Sequence, residues 1–291
     1  MSGSRFKYLK PEDIKKLESF EFAPKQIAEG YLAGRHVSRR QGLSTEFRDY
    51  RQYMQGNDLS TVDWKVYART DRHYVRTYEE ETNTTCYIFL DSSASMDFGG
   101  TLTKLEFSSF FTAALCYLVT KSNNLVSLQI FDDKIRHYFP PGSSGVHLQN
   151  LMNILEKNHA GNRTDLSEAL RRSFPLLKYR GSLIIISDFF DRPAEIFAAL
   201  NMYLHAGYKV YLFHLLDPEE LELSRHGLFR FADMEDGSRI TAHIDSIRKS
   251  YQHELARHVD SLRELSQRRN VDYTLARTDS NYYNLFDKLV K

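Results

Sequence analysis

The chain has 291 residues, 42% of them apolar and 13% aromatic, enough to bury a substantial core and too many for a disordered tail. Its 39 Lys and Arg balance 38 Asp and Glu, a formal charge of +1, which excludes a globally basic nucleic-acid binder and an acidic solvating chain. The two cysteines, Cys86 and Cys116, supply neither a disulfide framework nor a cysteine-rich zinc site, and their apolar neighbours mark them as small buried hydrophobes in a reducing compartment. The first residues lack the apolar run of a signal peptide, and no stretch approaches the ~18 consecutive apolar residues of a membrane helix. The expectation is a cytoplasmic protein with no direct membrane insertion.

Apolar positions Ile14, Leu17, Phe20, Ile27, Tyr31 and Leu32 predict two short helices over residues 11–35, interrupted near Pro24. Residues 35–76 then hold nine Lys and Arg against five Asp and Glu, a net of +4, among interleaved aromatics. The chain therefore divides into an N-terminal helical and arginine/aromatic-rich module, residues 1–83, and a second domain, residues 84–291. In the second, strand and helix alternate. A short apolar run, Cys86 to Asp91, precedes a polar loop and an amphipathic helix from Leu105 to Val119. Strands follow at Leu125 to Phe131 and Ile135 to Phe139 around Asp132-Asp133-Lys134, and helices at His147 to Asn158 and Thr164 to Leu177. Ser182 to Ser187 is too short for a helix and β-branched in its middle, so it reads as a strand buried on both faces of a parallel sheet. A helix (Pro193 to His205), a strand (Lys209 to Leu216), a last strand (Val271 to Ala276) and a closing helix (Tyr282 to Val290) complete an α/β, doubly wound, mostly parallel sheet. An insertion at about 218–245 carries a hairpin signal around Asp236-Gly237. Ser246 to Arg269 repeats apolar residues at a helical period.

Asp91-Ser92-Ser93-Ala94-Ser95 stands where the first buried strand ends, the edge at which doubly wound sheets bind ligands. Asp91, Ser93 and Ser95 recur at every second position and converge if the loop curls around one point. Thr164, before a helix, and Asp188, just after the strand Ser182 to Ser187, map to the same edge. With strand order 3-2-1-4-5-6, the strands that lead to Asp91 and Asp188 are neighbours across the switch point. Such hard oxygen donors suit Mg²⁺, Mn²⁺ or Ca²⁺ rather than zinc.

This pattern, Asp-x-Ser-x-Ser with a distant Thr and an Asp at a strand end, resembles the metal-ion-dependent adhesion site, or MIDAS, of von Willebrand factor type A domains. The resemblance implies that Ser93, Ser95 and Thr164 bind a divalent cation directly or through water, that Asp91 and Asp188 complete or orient its shell, and that an open position takes a partner's acidic residue. Upstream, Gly42, Glu46, Phe47, Arg51, Tyr53, Gly56, Asp58, Asp63, Trp64, Ala68, Arg69, Val75, Arg76 and Glu80 lie in the order of the bacterial family called domain of unknown function 58. Asn57 and Ser60 depart from its usual Asp and Arg. Asp217 to Glu220, the Phe231 to Gly237 segment and the late VDYTLARTD extend the likeness over nearly the whole chain from Gly34. The resemblance implies a non-enzymatic protein-interaction module whose partner is a MoxR-type AAA+ ATPase, the pair acting in chaperone-like assembly or maturation of other proteins.

Arg48, Arg51, Arg69, Arg72 and Arg76, interleaved with Tyr50, Tyr53, Trp64 and Tyr67, have the composition of a nucleic-acid surface. Pairing with Glu46, Asp49, Asp58, Asp63 and Asp71 through arginine forks is the expectation instead, with no nucleic-acid partner. The chain has no G-x-x-x-x-G-K-[ST] and no G-x-S-x-G. His253-Glu254 precedes His258 by one residue too many for H-E-x-x-H. The alternative function is a metal-dependent phosphohydrolase on the same cluster, which would need extra acids; Asp97 and Asp165 are the nearby ones.

Overall fold

In the computed structural model the described residues are 46–52, 64–72, 74–79, 84–100, 102–161, 163–234 and 237–289. The helices expected within 11–35 lie outside them. The chain separates into two compact units, with a boundary between Asn83 and Thr84. In the smaller unit, β1 (Glu46–Gln52) pairs antiparallel with β2 (Tyr74–Glu79), and α1 (Trp64–Thr70) lies between them in sequence.

The larger unit is built on six strands: β3 (Thr85–Asp91), β4 (Leu125–Phe131), β5 (Ile135–Gly142), β6 (Gly181–Ser187), β7 (Lys209–Leu216) and β10 (Asp272–Arg277). Their spatial order is β10-β7-β6-β3-β4-β5, and every pairing is parallel except that of β4 with β5. Counted within the sheet, this is the expected order 3-2-1-4-5-6. The helices between its strands are α2 (Lys104–Lys121), α3 (Gly145–Lys157), α4 (Leu166–Ser173) and α5 (Pro193–Ala206); α6 (Pro218–Glu222), β8 (Leu228–Ala232), β9 (Arg239–His243) and α7 (Ile244–Arg268) separate β7 from β10, and α8 (Tyr283–Phe286) closes the fold.

Successive residues of a strand face opposite sides of a sheet, and β3 shows the result. Cys86, Ile88 and Leu90 join one core with residues of α2, α3 and α8, while Tyr87 and Phe89 join the other with residues of α4, α5 and α7. Both cysteines are free and buried. The centre of the sheet is tight: Gly181 stands beside Thr85 across β3 and β6, and a Cβ there would overlap the Thr85 carbonyl oxygen.

Several boundaries differ from the sequence reading. The helix expected over 164–177 is α4 followed by a 3-10 turn, Phe174–Leu176, because Pro175 lacks the amide that an α-helix needs. The closing helix is shorter, ending at Phe286. β5 runs through Pro140 and Pro141, tolerated because it is an edge strand. The expected hairpin forms as β8–β9, with the Asp233 amide donating to Ser238 O at 2.8 Å and the Gly237 amide to Asp233 O at 3.1 Å. Among the described residues no helix is long and apolar enough to cross a membrane.

Candidate functional site

β3 is buried along its length and delivers Asp91 to the sheet's switch point, where the chains leaving β3 and β6 part. The following loop is fixed at once. The Ser92 amide donates to Phe131 O at the end of β4, 2.8 Å, and a 3-10 turn over Ala94–Asp97 curls the chain back, with the Met96 amide on Ser93 O at 3.1 Å. The curl brings the alternate residues together: Asp91 Oδ1 accepts the Ser93 amide at 2.9 Å, and Ser93 Oγ lies 3.0 Å from Ser95 Oγ.

β6 supplies the opposite wall. Its last residue, Ser187, donates to Asp91 Oδ2 at 2.6 Å and accepts the Phe189 amide at 3.0 Å. Phe189 has φ of 51°, an uncommon backbone conformation for a bulky residue that costs on the order of 1–3 kcal/mol unless its surroundings enforce it. Here its amide is held by Ser187, its carbonyl accepts His258 Nε2 from α7 at 2.8 Å, and its ring is buried. The conformation sends Asp188 and Phe190 to opposite ends of the burial scale: Asp188 is 1% exposed and Phe190 47%.

A third segment completes the site. The Gly161 amide donates to Ser92 O at 2.7 Å, and the Leu166 amide to Asp191 Oδ2 at 2.8 Å. These bonds tie the loop carrying Thr164 to both strand-end loops. Ser95, Thr164, Asp188 and Glu220 line one cleft of about 370 Å³, with Phe98 and Phe190 on its apolar side. Asp91 and Ser93 do not line it; they sit fully buried behind Ser95. A larger cleft of about 650 Å³ lies at the ends of β7 and β10, lined by Phe98, Phe107, Phe110, Tyr282, Asp217 and Thr278 among others, and contains none of the five candidate ligands.

The electrostatics are those of crowded, desolvated carboxyls. Burial, and then the nearby Asp188 charge, push the Asp91 carboxyl up to about 7 despite the bonds from Ser187 and Ser93 that oppose the rise. Lys104 lies across from it. It is the first residue of α2, behind the Thr103 capping box, and is fully buried, with Nζ 2.8 Å from Asp188 Oδ2 and 2.7 Å from Glu220 Oε1. Burial drags its ammonium down, but the two carboxylates more than offset this and leave it above its ordinary value.

The donor chemistry fits a hard divalent cation: two carboxylates and three hydroxyls, all oxygen, with the two serine hydroxyls adjacent. Among the described residues no three His, Cys, Asp or Glu side chains group as metal ligands, so a cation here would depend on the hydroxyls. Of the acids named for a hydrolase, Asp97 is exposed and does not line the cleft, and exposed Asp165 caps α4 by accepting the Glu168 amide at 2.9 Å; the cleft's further acids are Asp191 and Asp233. Sequence reasoning missed Ser187, Lys104 and Glu220. A readable signal existed for two of them. A lysine at the first position of a helix opposes the macrodipole and asks for a reason, and Asp217 to Glu220 is a capping box, with the Asp217 amide on Glu220 Oε2 at 2.8 Å.

Uncharacterized protein Rv1480 of Mycobacterium tuberculosis and Uncharacterized protein Mb1516 of Mycobacterium bovis are each 29% identical to the chain over 233 residues, 76% of its length and 70% of theirs. Among solved structures, an aerotolerance-related membrane protein from Bacteroides fragilis superposes with a TM-score of 0.50 at 16% identity, covering 71% of this chain and 96% of that one. The conserved hypothetical protein BatB from Bacteroides thetaiotaomicron superposes with a TM-score of 0.49 at 16% identity, covering 71% and 97%. At 16% identity the Bacteroides fragilis likeness speaks to the fold alone. The model of the family described as Protein of unknown function DUF58 matches residues 49–261, and the chain belongs to that family.

Proposed function

We propose that this protein is a non-enzymatic protein-interaction module whose contact with its partner depends on a divalent cation, Mg²⁺ by chemistry and abundance, with Mn²⁺ or Ca²⁺ as substitutes. The observation that carries the reading is the placement of Asp91, Ser93 and Ser95 at the end of β3 beside Asp188 at the end of β6, with Ser95, Thr164 and Asp188 opening into one cleft. Burial first and the Asp188 charge second raise the Asp91 carboxyl, and a cation beside the two carboxylates would offset both by favouring their ionised forms. A bound cation with one open position attracts a carboxylate strongly in a partly desolvated cleft, which gives affinity and orientation without bond-breaking chemistry. By family resemblance the partner is a MoxR-type AAA+ ATPase presenting an acidic residue, and the pair acts in the cytoplasm in chaperone-like assembly or maturation of other proteins. That assignment of partner and place is analogy from the family.

The test is calorimetric titration of Mg²⁺ and Mn²⁺ into the metal-stripped protein and into Asp91→Ala, with and without a MoxR-type ATPase. One cation bound by the wild type, none by the variant, and partner binding that follows the cation support the reading. Partner binding with no cation in either protein overturns it and moves recognition away from the cleft.

A further inference from the structure

A lysine at the first position of α2 sits at the positive end of the helix dipole, where a second positive charge is disfavoured, and burying an ammonium is costly unless it is well paired. Lys104 nevertheless has no exposed surface and divides its ammonium between Asp188 Oδ2 and Glu220 Oε1. Its second partner is itself immobilised, because Glu220 Oε2 accepts the Asp217 amide in the capping box of α6. The Phe190 ring stands 5.2 Å from Nζ and closes another side. Swinging the ammonium away from Asp188 therefore breaks a set of contacts, so it is a fixed charge.

We propose that Lys104, buried behind the cleft that Arg163 also lines, is a fixed counter-charge: a positioning residue that holds Asp188 by one carboxylate oxygen and sets how tightly the cleft takes a divalent cation. This rests on the cation-binding reading above. Without a cation, the ammonium gives the buried Asp188 carboxylate a charge partner. With one, two positive charges share the Asp188 carboxylate within a few ångströms, and their repulsion is weakly screened in a buried site. The same donor set without Lys104 would bind the cation more tightly. Lys104 thus favours a cation that exchanges over one that is locked in, and Glu220, by neutralising Lys104 in part, moderates the effect.

The experiment uses the metal-stripped full chain as wild type, Lys104→Met and Glu220→Gln, titrated with Mn²⁺ and Mg²⁺ by calorimetry beside thermal unfolding in the absence of metal. Lys104→Met should melt lower without metal yet bind Mn²⁺ roughly tenfold or more tighter. Glu220→Gln keeps an acceptor for Nζ but removes a negative charge, and should bind several-fold more weakly. A lysine with only a structural role would move stability and cation affinity in the same direction, so opposite signs identify the counter-charge. A folded Lys104→Met with unchanged or weaker affinity overturns the inference while leaving the cation reading intact. If Lys104→Met does not fold, unchanged affinity in Glu220→Gln overturns it. Binding by Lys104→Met but not by wild type supports it in its strongest form, and no binding by either removes the cation reading and this inference together.

Discussion

The hydroxyl of Ser187, the last residue of β6, donates to Oδ2 of Asp91, the last residue of β3, at 2.6 Å. This one bond joins the two strand ends that diverge at the switch point, and the same hydroxyl accepts the amide of Phe189. Ser187→Ala removes both contacts from buried groups. Leaving a buried polar group unsatisfied costs about 1–3 kcal/mol, so urea unfolding of the metal-free variant should show a loss in that range. A loss within error of zero would mean that the Phe189 conformation and Asp91 are held by other means.

His214, on β7, is fully buried with Nδ1 2.6 Å from the Tyr273 hydroxyl, and burial brings its pKa down from 6.5 to about 3. It stays neutral in the folded protein over a range in which the unfolded chain takes up a proton. Unfolding therefore becomes easier as pH falls from about 6.5 towards 3, and the contribution is fully present only above that window. Relative to His214→Phe, the wild type should lose about 2 kcal/mol between pH 6.5 and pH 5. Paired denaturant titrations at the two pH values measure this, and a constant difference would show that the imidazole is accessible to protons.

Gly181→Ala places a methyl group against the Thr85 carbonyl in the centre of the sheet. Since the obstacle is backbone, relief requires the β3–β6 pair to separate locally. Overpacking of this kind costs about 1–3 kcal/mol and occasionally more. The expected signs are a lower midpoint of thermal unfolding and faster amide exchange at the start of β3, rather than a change confined to one face.

Thr103 accepts the Glu106 amide at 3.1 Å as the N-cap of α2. Thr103→Ala should cost about 1 kcal/mol and raise amide exchange in the first turn of α2. Lys104 lies in that turn, so the loosened end should also weaken its grip on Asp188. Exchange rates unchanged within that turn would show that the ion pairs alone hold the helix start.

The sheet was legible because buried parallel strands read as unbroken apolar runs. Thr85–Asp91 and Gly181–Ser187 both appeared within a residue or so of their ends, and the common doubly wound strand order made them neighbours. Asp91, Ser93 and Ser95 were visible as a local pattern, and Thr164 and Asp188 followed from topology. Lys104 was not visible as a site residue, because its partners lie 84 and 116 residues away in sequence and only the folded sheet brings them within reach. The strand Glu46–Gln52 escaped notice for a different reason. Its sequence, EFRDYRQ, has charged residues where a half-buried strand would show aliphatic ones.

Strand β5 ends the sheet on one side, and Pro140 and Pro141 sit within it. Two consecutive residues there have no amide hydrogen to offer, so that margin is a poor template for a visiting strand. Edge-to-edge growth into a larger sheet is thereby discouraged where the fold would otherwise be most open to it.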